Sequence, residues 1–414
     1  MSEERVIVIA VKKPKQLDDY FTSSLEELIS LVNTAGGKVV EVITQNRERI
    51  HSAFYIGEGK MAEIKERVEE LDADLVISND ELSAGQSRNL SDFFGVRVID
   101  RSQLILDIFA GRAKTKEGKL QVELAQLQYL LPRLRGQGIQ LSRLGAGIGT
   151  RGPGETKLET DQRHIRRRID DIKRRLKQVV KQRDIYRKRR KQNEVFQIAI
   201  VGYTNAGKST LFNRLTNSES LEEDKLFATL DPLTRKFQLP SGLGVLLTDT
   251  VGFIQQLPTT LIAAFRSTLE EVSEADFILH VVDSSHPDYE QHQDTVLKLL
   301  DELDSSSIPM LTVYNKKDLI LADFIPNNRP YIIISALESD DLTRLIHKIE
   351  EVLKLEWKSY EIKVKAENGN LLNRLEHETI LVEKHFDEQT ESYVINGFIR
   401  PDHPLLGIIK ENSQ

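Results

Sequence analysis

Apolar positions along this chain change their period from segment to segment, and each change marks an element. Near the start, Val6-Ile7-Val8-Ile9-Ala10-Val11, Val39-Val40-Glu41-Val42-Ile43, Leu75-Val76-Ile77-Ser78 and Val96-Arg97-Val98-Ile99 are short apolar runs. Helical stretches over 17–33, 59–71, 85–94 and from Ser102 onward separate and follow them. Such alternation predicts a small parallel α/β domain over residues 1–113. The period then becomes heptad-like. Leu120, Leu124, Leu127, Leu131 and Leu134 form one stripe, and Leu158, Ile165, Ile169, Ile172, Leu176, Val179 and Tyr186 a second. Two such stripes predict an antiparallel helical hairpin over 114–193, zipped along its apolar seams. Apolar runs return at 196–201, 244–248, 308–314 and 331–334, and a helix over 342–355 closes a nucleotide-binding α/β domain, 194–356. Strands at 360–365, 379–383 and 392–399 with a helix over 371–378 predict a small α+β domain, 357–414.

Composition adds what the pattern leaves open. A chain of 414 residues, 39% hydrophobic, has enough apolar material for cores in two to four domains. Without cysteine there is no disulfide, thiol chemistry or Cys-based zinc site. No apolar run approaches the roughly 18 residues of a membrane span, and the N-terminus does not read as a signal peptide, so a soluble cytoplasmic protein is expected. The histidines show no metal-ligand spacing. Net charge is −7, but residues 156–193 hold 16 Lys/Arg against 5 Asp/Glu, a local +11 that leaves −18 elsewhere. A solvated, salt-bridged helix face is the plain explanation. The acids in this segment are too few to pair its bases, which favours a polyanion-binding face with Arg163, Arg166, Arg167, Arg168, Lys173, Arg174 and Arg175 on phosphates. The hairpin tip, 136–154, has seven glycines in 19 residues together with Arg143 and Arg151. A loop that long is either a linker or a probe that orders on RNA. Its Gly147-x-Gly149-x-x-Gly152 spacing is not a dinucleotide site, since no strand precedes it. Gly57-Glu58-Gly59-Lys60 reads as a helix entry.

Gly202-Tyr203-Thr204-Asn205-Ala206-Gly207-Lys208-Ser209-Thr210 carries the clearest chemistry. It fits G-x-x-x-x-G-K-[ST] between an apolar strand and a helix start, where backbone N–H groups and the helix N-terminus cradle phosphate. Lys208 would reach the β- and γ-phosphates, and Ser209 would bind Mg²⁺. About 110 residues on, Asn315-Lys316-Lys317-Asp318 ends another apolar run. There Asp318 can accept both guanine N–H groups, a pairing adenine cannot supply. Lys316 would lie along the base, and Asn315 would tie this loop to the phosphate loop. Ser335-Ala336-Leu337 supplies a third wall of the base pocket. GTP and GDP are the expected ligands.

Asp249-Thr250-Val251-Gly252 offers Asp249 to Mg²⁺ through water and the Gly252 amide to the γ-phosphate. The intervening Phe227-Ala228-Thr229-Leu230-Asp231-Pro232-Leu233-Thr234-Arg235 reads as a polar, Pro-broken segment. Phe227 belongs to the nucleotide-binding set, and Thr229 is the preferred second hydroxyl on Mg²⁺, ordered by γ-phosphate. Thr234 competes for that role, and spacing alone does not choose. After Gly252, where many such enzymes carry a water-orienting glutamine, stands Phe253. Intrinsic hydrolysis is therefore expected to be slow, with a partner or a monovalent cation completing the site. Asn205 motivates potassium, because some potassium-activated GTPases place an Asn ligand at this point of the loop.

The order of domains, the motif Gly147-Ile148-Gly149-Thr150-Arg151-Gly152-Pro153-Gly154-Glu155-Thr156-Lys157-Leu158-Glu159-Thr160-Asp161, and Phe227-Ala228-Thr229-Leu230-Asp231-Pro232 resemble the HflX family of bacterial GTPases, over nearly the whole chain. The resemblance implies a Ras-like P-loop GTPase domain and binding to the large (50S) ribosomal subunit, with the hairpin reaching 23S rRNA near the peptidyl-transferase centre. It also implies splitting of 70S ribosomes under stress, hydrolysis stimulated by the ribosome, and Phe253 as a family feature. Ala146 and Leu233 stand where the family pattern has Gly and Thr. Ala146 visits positive φ less freely than Gly and would stiffen the tip, while Leu233 strengthens the choice of Thr229. A role in ribosome assembly or rRNA maturation is the alternative. The chain is expected to act as a monomer.

Overall fold

The computed structural model describes residues 3–134, 157–192, 195–217, 226–227, 232–255, 271–320 and 324–412. The chain divides into two compact units: residues 1–181 with 225–230 and 255–266, and residues 182–224 with 231–254 and 267–414.

In the first unit, β1 (Glu4–Lys12), β2 (Gly37–Asn46), β3 (Leu75–Ser78) and β4 (Arg97–Asp100) form a parallel sheet in the order β2-β1-β3-β4. Val6 to Val11 are all buried, as expected of a central parallel strand covered on both faces. Helices Asp18–Ala35, Glu58–Glu70, Ala84–Phe94 and Arg101–Arg112 follow the strands, and Ser83 and Gln86 close a reciprocal capping box on the third.

Helices Lys116–Leu134 and Lys157–Gln192 make the hairpin. Leu120, Leu124, Ile169 and Ile172 form its buried seam, with Leu127, Leu131, Ile165 and Leu176 packed alongside, so eight of the stripe positions meet. The first helix is mounted on the α/β sheet through Asp100, which is 1% exposed. Its carboxylate accepts from Tyr129 Oη at 2.7 Å, the Leu82 amide at 2.9 Å, the Gln103 amide at 2.9 Å and Arg133 Nη2 at 3.0 Å. The Arg133 guanidinium also lies 3.3 Å from the centre of the Tyr129 ring. Burial, then the Asp100 charge, push the Tyr129 phenol far above its usual pKa.

The second unit holds β5 (Phe196–Gly202), β6 (Leu233–Gln238), β7 (Gly244–Asp249), β8 (Phe277–Asp283), β9 (Met310–Asn315) and β10 (Tyr331–Ile333), in the order β10-β9-β8-β5-β7-β6. All pairs are parallel except β6 with β7. The sequence pattern reads as irregular over residues 227–235, yet Leu233–Gln238 is an edge strand. Its half-exposed residues show no apolar alternation, and pairing with β7 rather than burial makes it a strand. β11 (Lys358–Lys365), β12 (Ile380–Asp387) and β13 (Ser392–Ile399) form an antiparallel sheet in the order β11-β13-β12, packed with helices Gly369–Glu378 and Leu405–Asn412. Trp357 stacks edge-on against Phe196 at 5.3 Å, and Ile380 joins the same core as β5, so the C-terminal piece shares apolar packing with the nucleotide sheet.

Candidate nucleotide site

The site forms at the C-terminal ends of β5, β7 and β9, where an open parallel sheet places ligands. β5 runs into the loop 202–207, and helix Lys208–Thr216 starts immediately after it. Gly207 has φ +90°, and a Cβ there would stand 2.2 Å from Asn315 Nδ2, so only glycine fits. Lys208 is 6% exposed and donates to the Tyr203 carbonyl at 2.6 Å. Desolvation lowers its pKa to about 8, opposed by the Asp249 charge. Ser209 Oγ donates to Asp249 Oδ2 at 2.8 Å, which brings the two expected Mg²⁺ ligands together. Asn205 is exposed, with φ +61°. Thr204 and Ala206 are buried, and Thr210 is half-buried.

The base side is built from two further loops. Buried Asn315 donates from Nδ2 to the Ala206 carbonyl at 2.9 Å and accepts at Oδ1 from the Ala336 amide at 2.9 Å. One side chain thus ties all three loops, one more than the motif alone implies. Lys316, at φ +65°, pairs with Asp283 at 2.6 Å. Asp318 sits exposed in the 3-10 turn Lys317–Leu319. Asp341 accepts from the Ser335 amide at 2.8 Å and pairs with Lys317 at 3.2 Å and Arg344 at 2.7 Å, so it shapes both base loops. Leu337 is 60% exposed at the mouth.

Family models described as GTP-binding GTPase N-terminal, GTP-binding GTPase Middle Region and 50S ribosome-binding GTPase match residues 22–110, 112–190 and 197–316. A GTPase HflX from Alkalihalophilus pseudofirmus is 57% identical over 99% of this chain and 96% of that protein. The chain belongs to the HflX family of GTPases. The GTPase HflX of Escherichia coli is 42% identical over 94% of this chain and 92% of its own length. Among solved structures, a GTP-binding protein from Sulfolobus solfataricus in complex with GDP is similar at 25% identity, covering 84% of this chain and 98% of that one, with a TM-score of 0.45. As a member of the HflX family, the protein is a GTPase.

Several expected residues sit elsewhere. Phe227 is 2% exposed and packs edge-on against Phe109 at 4.5 Å, inside the first unit. Its ring is taken up by apolar packing. Phe253 is 3% exposed in a cluster with Val272, Ala275 and Tyr203 of the phosphate loop, so its apolar ring as well as its backbone meets that loop. Thr234 lies in β6 with its hydroxyl 3.0 Å from that of Thr248. Thr229, Arg143 and Arg151 lie outside the described residues. On the long hairpin helix, Arg163, Arg166, Arg167, Lys173, Arg174 and Arg175 are exposed. Arg168, though exposed, donates to Glu123 at 2.6 and 3.0 Å across the seam, so here its guanidinium is paired within the hairpin. Arg174 and Arg175 both lie beside Asp171, at 3.5 and 2.9 Å. A charge balance over 156–193 omits acids on the opposite helix, such as Glu123, and so overstates the unpaired charge.

Sequence patterns do not single out Asp283, Asp341, His280 or His292. Asp283 ends an apolar strand, as Asp249 does, and that parallel is the one available signal. His292 stacks flat on Tyr203, with ring centres 3.8 Å apart and planes 8° apart, and no spacing rule points to it. Among the described residues, no helix is long and apolar enough to cross a membrane.

Proposed function

We propose that this GTPase binds the large ribosomal subunit in its GTP form through the hairpin, separates 70S ribosomes under stress, and leaves after hydrolysis. The glycine tip would approach 23S rRNA near the peptidyl-transferase centre, the ribosome would speed hydrolysis, and the protein would work as a cytoplasmic monomer. The mounted hairpin carries this reading. Its seam is apolar, its exposed face holds Arg166, Arg167 and Lys173, and its base is locked through Asp100 and Arg133. A stiff cationic arm suits phosphate contacts that position without reading sequence.

The nucleotide has a route to the arm. Leu226, Phe227 and Gln255, close in sequence to the expected γ-phosphate sensors, group with the first unit. There the Leu226 amide donates to Thr34 Oγ1 at 3.3 Å, and Arg101, paired with Glu27 at 2.8 Å, donates to the Gln255 carbonyl at 3.4 Å. Ordering of these segments by GTP would thus act on the unit that bears the arm.

Ser209 and Asp249 present hard oxygens at the phosphate cradle and fit Mg²⁺, which would neutralise phosphate charge when bound with nucleotide. Thr229 is the preferred further ligand, a reading supported by the 3.0 Å approach of the Thr234 hydroxyl to that of Thr248. Asn205, exposed at the loop, is the site proposed for potassium. Equal turnover in potassium and sodium buffers of matched ionic strength would remove that part.

The test is gradient sedimentation of ribosomes with the protein and GTP, GDP or a non-hydrolysable GTP analogue. Comigration with mature large subunits and loss of monosomes, with GTP or its analogue only, are expected. Comigration only with immature particles would replace splitting by an assembly role. Changing Arg166, Arg167 and Lys173 to Gln should weaken large-subunit binding. It should also lower the log–log salt slope by roughly 0.7 to 0.9 for each phosphate no longer neutralised.

A further inference from the structure

His280 lies on β8 and is fully buried, and among the described residues neither ring nitrogen has a hydrogen-bond partner. Burial, aided by the Lys208 charge, lowers its pKa to about 3. The ring is therefore neutral, with one donor and one acceptor both idle. Buried polar groups nearly always find partners, so an idle pair calls for a reason.

The position of the ring supplies one. His280 is in register with Val201 of β5 on one side and Thr312 of β9 on the other. Val201 and Ile278, on the same face of the sheet, belong to the cluster that holds Tyr203 and Phe253. The imidazole thus emerges on the face that carries the start of the phosphate loop and the turn after Gly252. In this structure that loop and turn are bonded to each other. The Thr204 amide donates to the Phe253 carbonyl at 2.8 Å, and the Phe253 amide donates to the Gly202 carbonyl at 3.2 Å. Gly252 lies so close that a Cβ there would stand 2.8 Å from Thr204 Cγ2 and 3.1 Å from Lys208 Nζ. Thr204 Oγ1 is likewise buried without a partner among the described residues.

These bonds conflict with the chemistry of a γ-phosphate. The phosphate needs donors from the loop, from Lys208 and from Gly252. Here the Thr204 amide and Lys208 are turned to protein carbonyls. Turning the Gly252 amide and Lys208 toward the γ-phosphate would draw the turn away from the loop and release the Phe253 N–H and carbonyl.

We propose that His280 is a positioning residue for GTP hydrolysis: its idle N–H and ring nitrogen take up backbone groups that the Gly252–Phe253 turn releases on engaging the γ-phosphate, and so hold the turn in that form. The imidazole acts through the turn and does not touch the nucleotide. It makes hydrogen bonds in the GTP arrangement and none in the present one, so it shifts the equilibrium toward the GTP arrangement.

The test compares His280→Leu with His280→Gln in the full-length protein. Leucine removes an unsatisfied polar ring, so the melting temperature without nucleotide should rise by about 2–4 °C. GDP affinity should stay within about twofold, while affinity for a non-hydrolysable GTP analogue and single-turnover hydrolysis fall about tenfold, the size of one or two lost hydrogen bonds. Glutamine, which keeps a donor and an acceptor, should recover most of the GTP affinity. Equal loss for GDP and GTP, or no loss for either, would overturn the proposal and leave His280 a core residue. A readout on the unaltered protein guards against a variant that does not fold. With ¹⁵N-labelled histidine, the His280 ring signal should show a new hydrogen bond with the GTP analogue and not with GDP, and an unchanged signal would also overturn the proposal.

Discussion

The arm is held by side chains that repeat. Leu120 and Leu124 meet Ile169 and Ile172 along the seam, and Glu123 meets Arg168 beside it. The phosphate cradle is held by single atoms from distant parts of the chain, as when Asn315 reaches the Ala206 carbonyl across 109 residues. The arm therefore fails by degrees, one methylene or one charge at a time. The cradle fails at once, because one group such as Asn315 ties several loops and its loss frees them together.

The largest expected effect lies in the cradle. Lys208→Ala should remove detectable GTP and GDP binding, a drop of at least about a hundredfold, read by titration with a fluorescent nucleotide. Melting of the first unit should be unchanged, and a Lys208→Ala protein that bound GTP normally would show that the lysine does not meet phosphate.

Next comes the mount of the arm. Arg133→Ala leaves the buried Asp100 carboxylate without its cation and should cost the first unit about 3 kcal/mol in urea unfolding. GDP affinity should stay within about twofold. A large fall in GDP affinity instead would erase the contrast between the two regions.

A smaller effect follows from Lys208 itself. Its folded pKa of about 8 lies below the ordinary 10.5. Its charge therefore opposes folding fully below pH 8, and this penalty lifts as pH rises from 8 toward 10.5. Without nucleotide, the Lys208 contribution should make the second unit more stable across that window. Bound phosphate favours the ammonium, so nucleotide binding above pH 8 should take up a proton. Calorimetry at pH 9 in buffers of different ionisation heat measures that uptake, and a value of zero would contradict the shift.

The same contrast explains what is legible in the sequence. Repeating stripes name the seam residues Leu120, Leu124, Ile169 and Ile172 without help from the fold. The phosphate and base motifs name Lys208, Ser209, Asp249 and Asn315, because those chemistries demand fixed residue types at fixed spacing. β6 escapes the pattern because an edge strand defined by its partner carries no burial signal of its own. Asp341 escapes because its role depends on where a helix start falls against two loops. The motif names Phe227 but not its ring's packing against Phe109, which depends on a contact distant in sequence. Charge along one helix does not show that Arg168 pairs with Glu123, because pairing across the seam is invisible to it.

The central claim, that GTP governs the grip of the arm on ribosomal RNA, is tested most directly by crosslinking. A photoreactive residue replacing Arg167, exposed on the long helix, would be irradiated with large subunits and either GDP or a non-hydrolysable GTP analogue. Strong crosslinks to large-subunit rRNA with the analogue, and few with GDP, are the predicted result. Equal crosslinking in both states, or none in either while the protein still hydrolyses GTP, would contradict the claim.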